Sequence, residues 1–221
     1  MLSKIRISSL GKPIASGWDS RVFHIPGGEG TSLIKAYYGL SVSEIQEYHR
    51  IHAQYAEKGE IVVPVDLDLQ ELGRKRNFQF TFLGSEIRGV AMHVLGLDPK
   101  DVAENKEGYV LARVPYVRGS NLLSYWNQEL LKKGEEAGIY LVEKMVHTGL
   151  QNMGLVFQKR ERGTGNLIQE GHTIGRENIM IEGTTAPGII KATVTDIGMS
   201  VRHAVNVERY NESYQQNYMW K

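Results

Sequence analysis

Ile174 to Val201 reads IGRENIMIEGTTAPGIIKATVTDIGMSV, and the reading of the whole chain turns on how these residues pair. Two apolar runs, Ile179-Met180-Ile181 and Ile189 to Val194, are separated by Glu182-Gly183-Thr184-Thr185-Ala186-Pro187-Gly188. Runs of that length bounded by Gly and Pro predict two strands joined by a turn. Asn178 precedes the first strand, and Asp196, followed by Ile197-Gly198, comes just after the second. Closing the hairpin brings the amide and the carboxylate together. Hard oxygens placed side by side on a rigid element suit Mg²⁺, which takes few protein ligands and completes its shell with the phosphates of a nucleotide. An ordinary surface hairpin would also carry an Asn before it and an Asp after it, so the rest of the chain decides.

Upstream of the hairpin the pattern is helical. Ser120-Asn121 has the chemistry of a helix cap ahead of Leu122, Leu123, Trp126 and Leu130. A second helix carries Ile139, Val142, Met145, Val146, Leu150 and Met153, an apolar stripe that reads as core. Pro115-Tyr116-Val117-Arg118-Gly119 breaks the strand pattern before these helices and sets a boundary near Val117. Residues 1–117 are therefore expected to form a sheet-rich lobe and residues 118–221 a helical one.

In the first lobe, strands are expected at Lys4 to Ile7, Arg21 to Ile25, Thr31 to Tyr37, Ile61 to Val65, Phe78 to Leu83, Val90 to Leu95 and Tyr109 to Val114. Ala15, Gly17 and Ser20 are small residues in one turn, where the backbone N–H groups could approach a phosphate. A plain hairpin turn is the other reading. Lys35 stands among apolar neighbours on its strand. Ser41-Val42-Ser43-Glu44 has the form of a capping box and opens a helix that carries Ile45, Tyr48, Ile51, His52 and Tyr55 up to Gly59. A buried Lys35 needs an acidic partner, because desolvating an unpaired ammonium costs several kcal/mol. Glu47 is the expected partner, with Glu44 as the alternative.

The 221 residues, 41% of them hydrophobic, suffice for one large domain or two small lobes. A net charge of +1 points to neither a nucleic-acid nor a membrane partner. With no cysteine there is neither a disulfide nor a thiolate metal site. Met1-Leu2-Ser3-Lys4 is not followed by an apolar signal region, and no apolar run approaches the roughly 18 residues of a membrane span. A soluble protein is expected, cytoplasmic or exported by a route that reads a different address.

The order of these features resembles the protein-kinase family. Ala15-x-Gly17-x-x-Ser20-x-Val22 is similar to its glycine-rich loop, Leu33-Ile34-Lys35 to the strand with the phosphate-binding lysine, and Glu47 to the helix glutamate. Val114 to Leu122, through Tyr116 and Val117, resembles the linker whose backbone holds adenine. Glu177 to Ile181 resembles the end of the catalytic loop, and Asp196-Ile197-Gly198 the family's Asp-Phe-Gly. The resemblance implies an α+β, two-lobed protein-kinase-like fold with an antiparallel-sheet N-lobe and a minimal helical C-lobe. It implies ATP and Mg²⁺ as cofactors. Gly17, Ser20, Lys35, Glu47, Tyr116 and Val117 would be nucleotide-binding, and Asn178 and Asp196 metal ligands.

The chain also departs from the family pattern. Five residues before Asn178, where the family has an aspartate, stands Thr173, preceded by His172. A second register places Glu161 and Asn166 of Lys159 to Ile168 in the acid and metal positions. A third treats Phe157 to Gly175 as an insertion that returns Glu161 or His172 to the site as the catalytic group. The stretch after Gly198 is short for the family's later helices, a truncation seen in small kinase-like effectors that bacteria deliver into host cells. The expectation is a minimal kinase transferring the γ-phosphate to a protein hydroxyl, with a protein, a host protein among the options, as substrate or partner. A nucleotide-binding pseudokinase that acts as scaffold or inhibitor is the alternative, followed by a small-molecule kinase or another nucleotide-dependent transferase.

Overall fold

A computed structural model describes residues 2–17, 19–25, 27, 30–66, 87–124, 136–160, 167–168 and 172–197. The first half contributes β1 (Ala15–Ser16), β2 (Ser20–His24), β3 (Ser32–Tyr37), α1 (Val42–Ala56), β4 (Ile61–Pro64) and β5 (Gly89–Val94). There follow β6 (Val102–Glu104), β7 (Val110–Pro115), β8 (Ser120–Asn121) and α2 (Glu136–Met153). The last part holds β9 (Leu155–Phe157), β10 (Lys159–Arg160), β11 (Leu167–Ile168), β12 (His172–Ile174), β13 (Ile179–Ala186) and β14 (Ile189–Val194). This is a mixed α+β protein. It divides into two compact units, Met1–Glu57 with Leu95–Tyr116, and Lys58–Val94 with Val117–Lys221.

The first unit is an antiparallel sheet in the order β1-β2-β3-β7-β6. One face packs Phe23, Ile34, Ala36 and Leu111 against Leu2 and Leu10 of the N-terminal segment. That packing explains a departure from sequence expectation. Lys4 to Ile7 does not form a strand: 3-10 turns at Leu2–Lys4 and Ile7–Ser9 take its place, since turning tucks Leu2 and Leu10 under the sheet. Helix α1 opens with the expected capping box, in which the Glu44 N–H donates to Ser41 Oγ and the Ser41 N–H to Glu44 Oε2. It buries Ile45, Tyr48, His49 and His52.

Both histidines fasten α1 to the segment before β6, His49 Nδ1 to the Asp98 carbonyl at 2.9 Å and His52 Nδ1 to the Leu95 carbonyl at 3.1 Å. Nδ1 of His49 donates in that bond, and its Nε2 is buried with no hydrogen-bond partner. Burial, with Lys35 adding to it, pushes the His49 pKa below the ordinary imidazole value, against smaller opposing effects from Asp98 and Asp101. Burial and Lys191 do the same to His93 in the second unit. Each imidazole thus titrates lower when folded than when unfolded, so the unfolded chain binds more protons below about pH 6.5. Stability should be full above that pH and fall as pH drops towards the folded values. Melting curves from pH 7.5 to 5 check this, and His49→Gln should flatten the slope. An equal slope in the variant would put the loss elsewhere.

The second unit is built on a sheet in the order β4-β5-β14-β13-β8. Helix α2 packs on β4, β5 and β9 with Val142, Met145, Val146, Leu150 and Met153, each fully buried. Opposite them lie Val90, Met92, Ile179, Ile181, Ile190, Ala192 and Val194, none more than 4% exposed. Each large side chain buried in this way contributes about 1.5–3 kcal/mol. Gly149 of α2 leaves room for Met92, whose Sδ occupies the space its side chain would fill.

Sequence reasoning assigned Ile61 to Val65 and Val90 to Leu95 to the first lobe, and here the structure corrects it. Strand β5 pairs in parallel with β14, from Ile189↔Gly89 to Val194↔Val94, and β4 follows it as the outer strand. That ladder places residues 58–94 with the second unit, while the other boundary falls between Tyr116 and Val117. The strand expected at Phe78 to Leu83 lies outside the described residues. Among the described residues, no helix is long and apolar enough to cross a membrane.

Candidate functional site

The two expected strands pair, with Ile179↔Val194, Met180↔Thr193 and Ile181↔Ala192 in antiparallel register, but β13 runs on through the residues expected as turn to Ala186, with shifts of register at Thr184 and Ala186. Beyond Ile179↔Val194 the ladder continues into the flanking residues. The Thr195 N–H donates to the Asn178 carbonyl at 2.8 Å, and Thr195 Oγ1 donates to the same oxygen at 3.1 Å. Asn178 ends a 3-10 turn, Arg176–Asn178, closed by its own N–H on the Gly175 carbonyl at 3.0 Å. Its backbone is thus held from both sides. Asp196 is the next residue after Thr195, so amide and carboxylate stand at the same end of neighbouring strands, both half-buried. Ile197, fully buried, anchors the chain beyond.

These two residues could contribute oxygen ligands to a hard cation. Both groups offer oxygen, one of them charged. Among the described residues no group of three or more His, Cys, Asp or Glu comes together to enclose an ion by itself. An ion held by one carboxylate and one amide needs further ligands, which phosphates supply.

In the first unit, Lys35 lies on β3 between Val22 and Ala112 and is 9% exposed. Its Nζ sits over two aromatic rings, 5.1 Å from the centroid of Tyr37 and 5.5 Å from that of Tyr48. A cation over a ring face is favoured by about 0.5–2 kcal/mol. Tyr48 of α1, rather than Glu47, is the helix residue whose ring meets the lysine. Glu47 is not placed as expected: it faces solvent and pairs with Arg50 one turn on, the Arg50 Nε donating at 2.6 Å. That guanidinium holds the Glu47 carboxyl below the usual carboxylate value. Glu44, the alternative partner, closes the capping box.

The small-residue loop is a tight turn in which the Gly17 N–H donates to the Ser20 carbonyl at 2.8 Å. Ser20 is 3% exposed at the start of β2, beneath the turn rather than at its tip. Tyr116 is 43% exposed, its N–H donating to the Thr31 carbonyl at 3.0 Å and its ring tilted against His24. Val117, half-buried, opens the second segment of the second unit.

Thr173, five residues before Asn178, pairs with Val156 across the parallel β9–β12 ladder. It is 2% exposed, and its Oγ1 has no hydrogen-bond partner. Glu161, Asn166 and Gly198 lie outside the described residues, as does the His172 side chain, although its backbone opens β12.

Sequence reasoning missed a polar row across β13, β14 and β5. Lys191 pairs with Glu182 at 3.1 Å, Thr193 Oγ1 donates to Glu182 at 3.4 Å, and His93 Nε2 lies 3.2 Å from the same hydroxyl. It also missed Arg176, whose guanidinium meets Glu143 and lies over Phe157. No protein-family model matches this chain, and a search of curated proteins finds no match.

Proposed function

We propose that the chain is an ATP- and Mg²⁺-dependent phosphotransferase of protein-kinase-like fold that transfers the γ-phosphate to a protein hydroxyl. The observation that carries the reading is that Asn178 and Asp196 flank the same end of the β13–β14 hairpin, with the Thr195 N–H bonded to the Asn178 carbonyl. Lys35, on the third strand of an antiparallel sheet and just ahead of a capped helix, supports it.

When bound, the ion would neutralise charge on the phosphates. Asn178 and Asp196 would hold it, and Lys35 would attract the α- and β-phosphates. The rings of Tyr37 and Tyr48 beside that ammonium would help to orient it. The turn at Gly17 and Ser20 and the backbone of Tyr116 and Val117 would contact the remainder of the nucleotide. Glu161 and His172 are the groups assigned to the acceptor hydroxyl.

A second reading, a nucleotide-binding scaffold without turnover, is favoured by one observation: a buried threonine stands where the family places its acid. Labelled ATP with Mg²⁺, the purified chain and a eukaryotic cell lysate separate the two. Label on protein with the wild type and none with Lys35→Ala carries the transferase reading. Identical traces from both sink it, and a Mg²⁺-ATP thermal shift without label on any protein selects the scaffold. The mass added to a modified target distinguishes a phosphoryl from a nucleotidyl group.

A further inference from the structure

We infer that Arg176 is a positioning residue, fixing the turn that presents Asn178. This rests on the proposed role of Asn178 as a ligand of the nucleotide's metal ion. Nε and Nη2 of Arg176 donate to one oxygen, Oε1 of Glu143 on α2, at 2.8 and 2.6 Å. The same guanidinium lies 4.5 Å from the centroid of the Phe157 ring at the end of β9. His147, one helical turn beyond Glu143, stacks against that ring at 5.7 Å with the planes 19° apart. The arginine is therefore held in two directions at once, by a carboxylate from the helix and by a ring from the strand.

The purpose of this clamp is not bulk stability. The Arg176 and Glu143 side chains are 40% and 18% exposed, and ion pairs at such a wet edge contribute little to folding. The clamp acts on geometry. Arg176 is the first residue of a three-residue 3-10 turn whose last residue is Asn178. Short turns of this type have poor hydrogen-bond geometry and little rigidity of their own. Thr195 fixes the carbonyl end of Asn178, and Arg176 fixes the approach to it, so the backbone that carries the amide is held on both sides. A lysine cannot replace it, because both the two-donor fork and the flat face over Phe157 are lost.

Two measurements on the full chain test this. In the first, the thermal shift given by ATP is titrated with Mg²⁺ for wild type, Arg176→Ala, Arg176→Lys and Glu143→Gln. Both arginine variants should need about tenfold more Mg²⁺ for half the shift, the usual cost of losing a group that orients a metal ligand. Their response to ATP without Mg²⁺ should not change. Glu143→Gln keeps an oxygen for the arginine and should move the midpoint less. Normal Mg²⁺ midpoints in both arginine variants, or full rescue by lysine, would overturn the role.

The second measurement is amide hydrogen exchange without ligand. Arg176→Ala should speed exchange at Asn178 and Thr195 while leaving Ala192, mid-strand in β14, as protected as before. Unchanged exchange at Asn178 and Thr195 overturns the positioning role whatever the nucleotide does. Absence of any Mg²⁺-dependent shift in the wild type overturns the nucleotide reading instead.

Discussion

Asp196→Asn should abolish the Mg²⁺-dependent part of ATP binding and lower phosphoryl transfer by at least about a hundredfold, since a bound metal is worth several kcal/mol of charge stabilisation in such reactions. The substitution keeps the volume and one oxygen and removes the charge. Asn178 and residue 196 would then present two neutral amides to the ion, and phosphate oxygens alone would carry the electrostatic load. Folding should survive, because Asp196 is half-buried beyond the last strand pair while the anchoring burial is done by Ile197 and Val194. Calorimetric ATP binding with and without Mg²⁺ reads the effect directly. If Asp196→Asn binds Mg²⁺-ATP as tightly as the wild type, Asp196 is no metal ligand and the phosphotransferase reading loses its centre.

What could be read from the chain and what could not divides by distance along it. The hairpin was legible because its signals are local: two short apolar runs, a Gly- and Pro-bearing turn between them, and polar groups at the ends. The capping box at Ser41 and Glu44 was legible for the same reason, a spacing of three residues that closes on itself. The helix face turned towards Lys35 was misjudged by one position for Glu47. Each residue turns a helix by about 100°, so a one-residue error in phase exchanges a buried Tyr48 for an exposed Glu47.

Other features join residues far apart, and no local pattern announces them. The parallel pairing of β5 with β14 brings Ala91 beside Lys191, and it moved two strands from one unit to the other. Nothing in Gly89 to Val94 differs from a strand of the first sheet, since an apolar run records burial on both faces and not the identity of its neighbours. The meeting of Glu143, Phe157 and Arg176 depends on the helix, the strand and the turn all being in place. The N-terminal Lys4 to Ile7 alternates like a strand, yet the pull of Leu2 and Leu10 into the core decided its shape.

The second large effect is expected at Gly119. Its φ is +112°, and a Cβ there would fall well inside contact distance of the Ile181 carbonyl carbon and oxygen, which are backbone atoms that cannot rotate away. Gly119→Ala should therefore cost about 3 kcal/mol or more, combining backbone strain with displacement of a strand. The damage is directed at the site. Gly119 leads into β8, which pairs Ser120↔Ile181 and Asn121↔Met180, and Asn121 in turn accepts the Ser124 N–H at 2.7 Å at the entry to the next helical residues. Pushing β8 off β13 loosens the strand that starts one residue after Asn178, so Mg²⁺-ATP binding should weaken along with stability. Gly108→Ala is the control: its φ is +79°, but a Cβ there meets nothing within 4 Å, leaving only the conformational cost of about 1–2 kcal/mol. Urea unfolding of both variants, with the slope checked for constancy, isolates the close approach as the difference between them. Equal losses in the two would show that Gly119 does not lie against Ile181, and the hairpin would then have to be fixed from some other side.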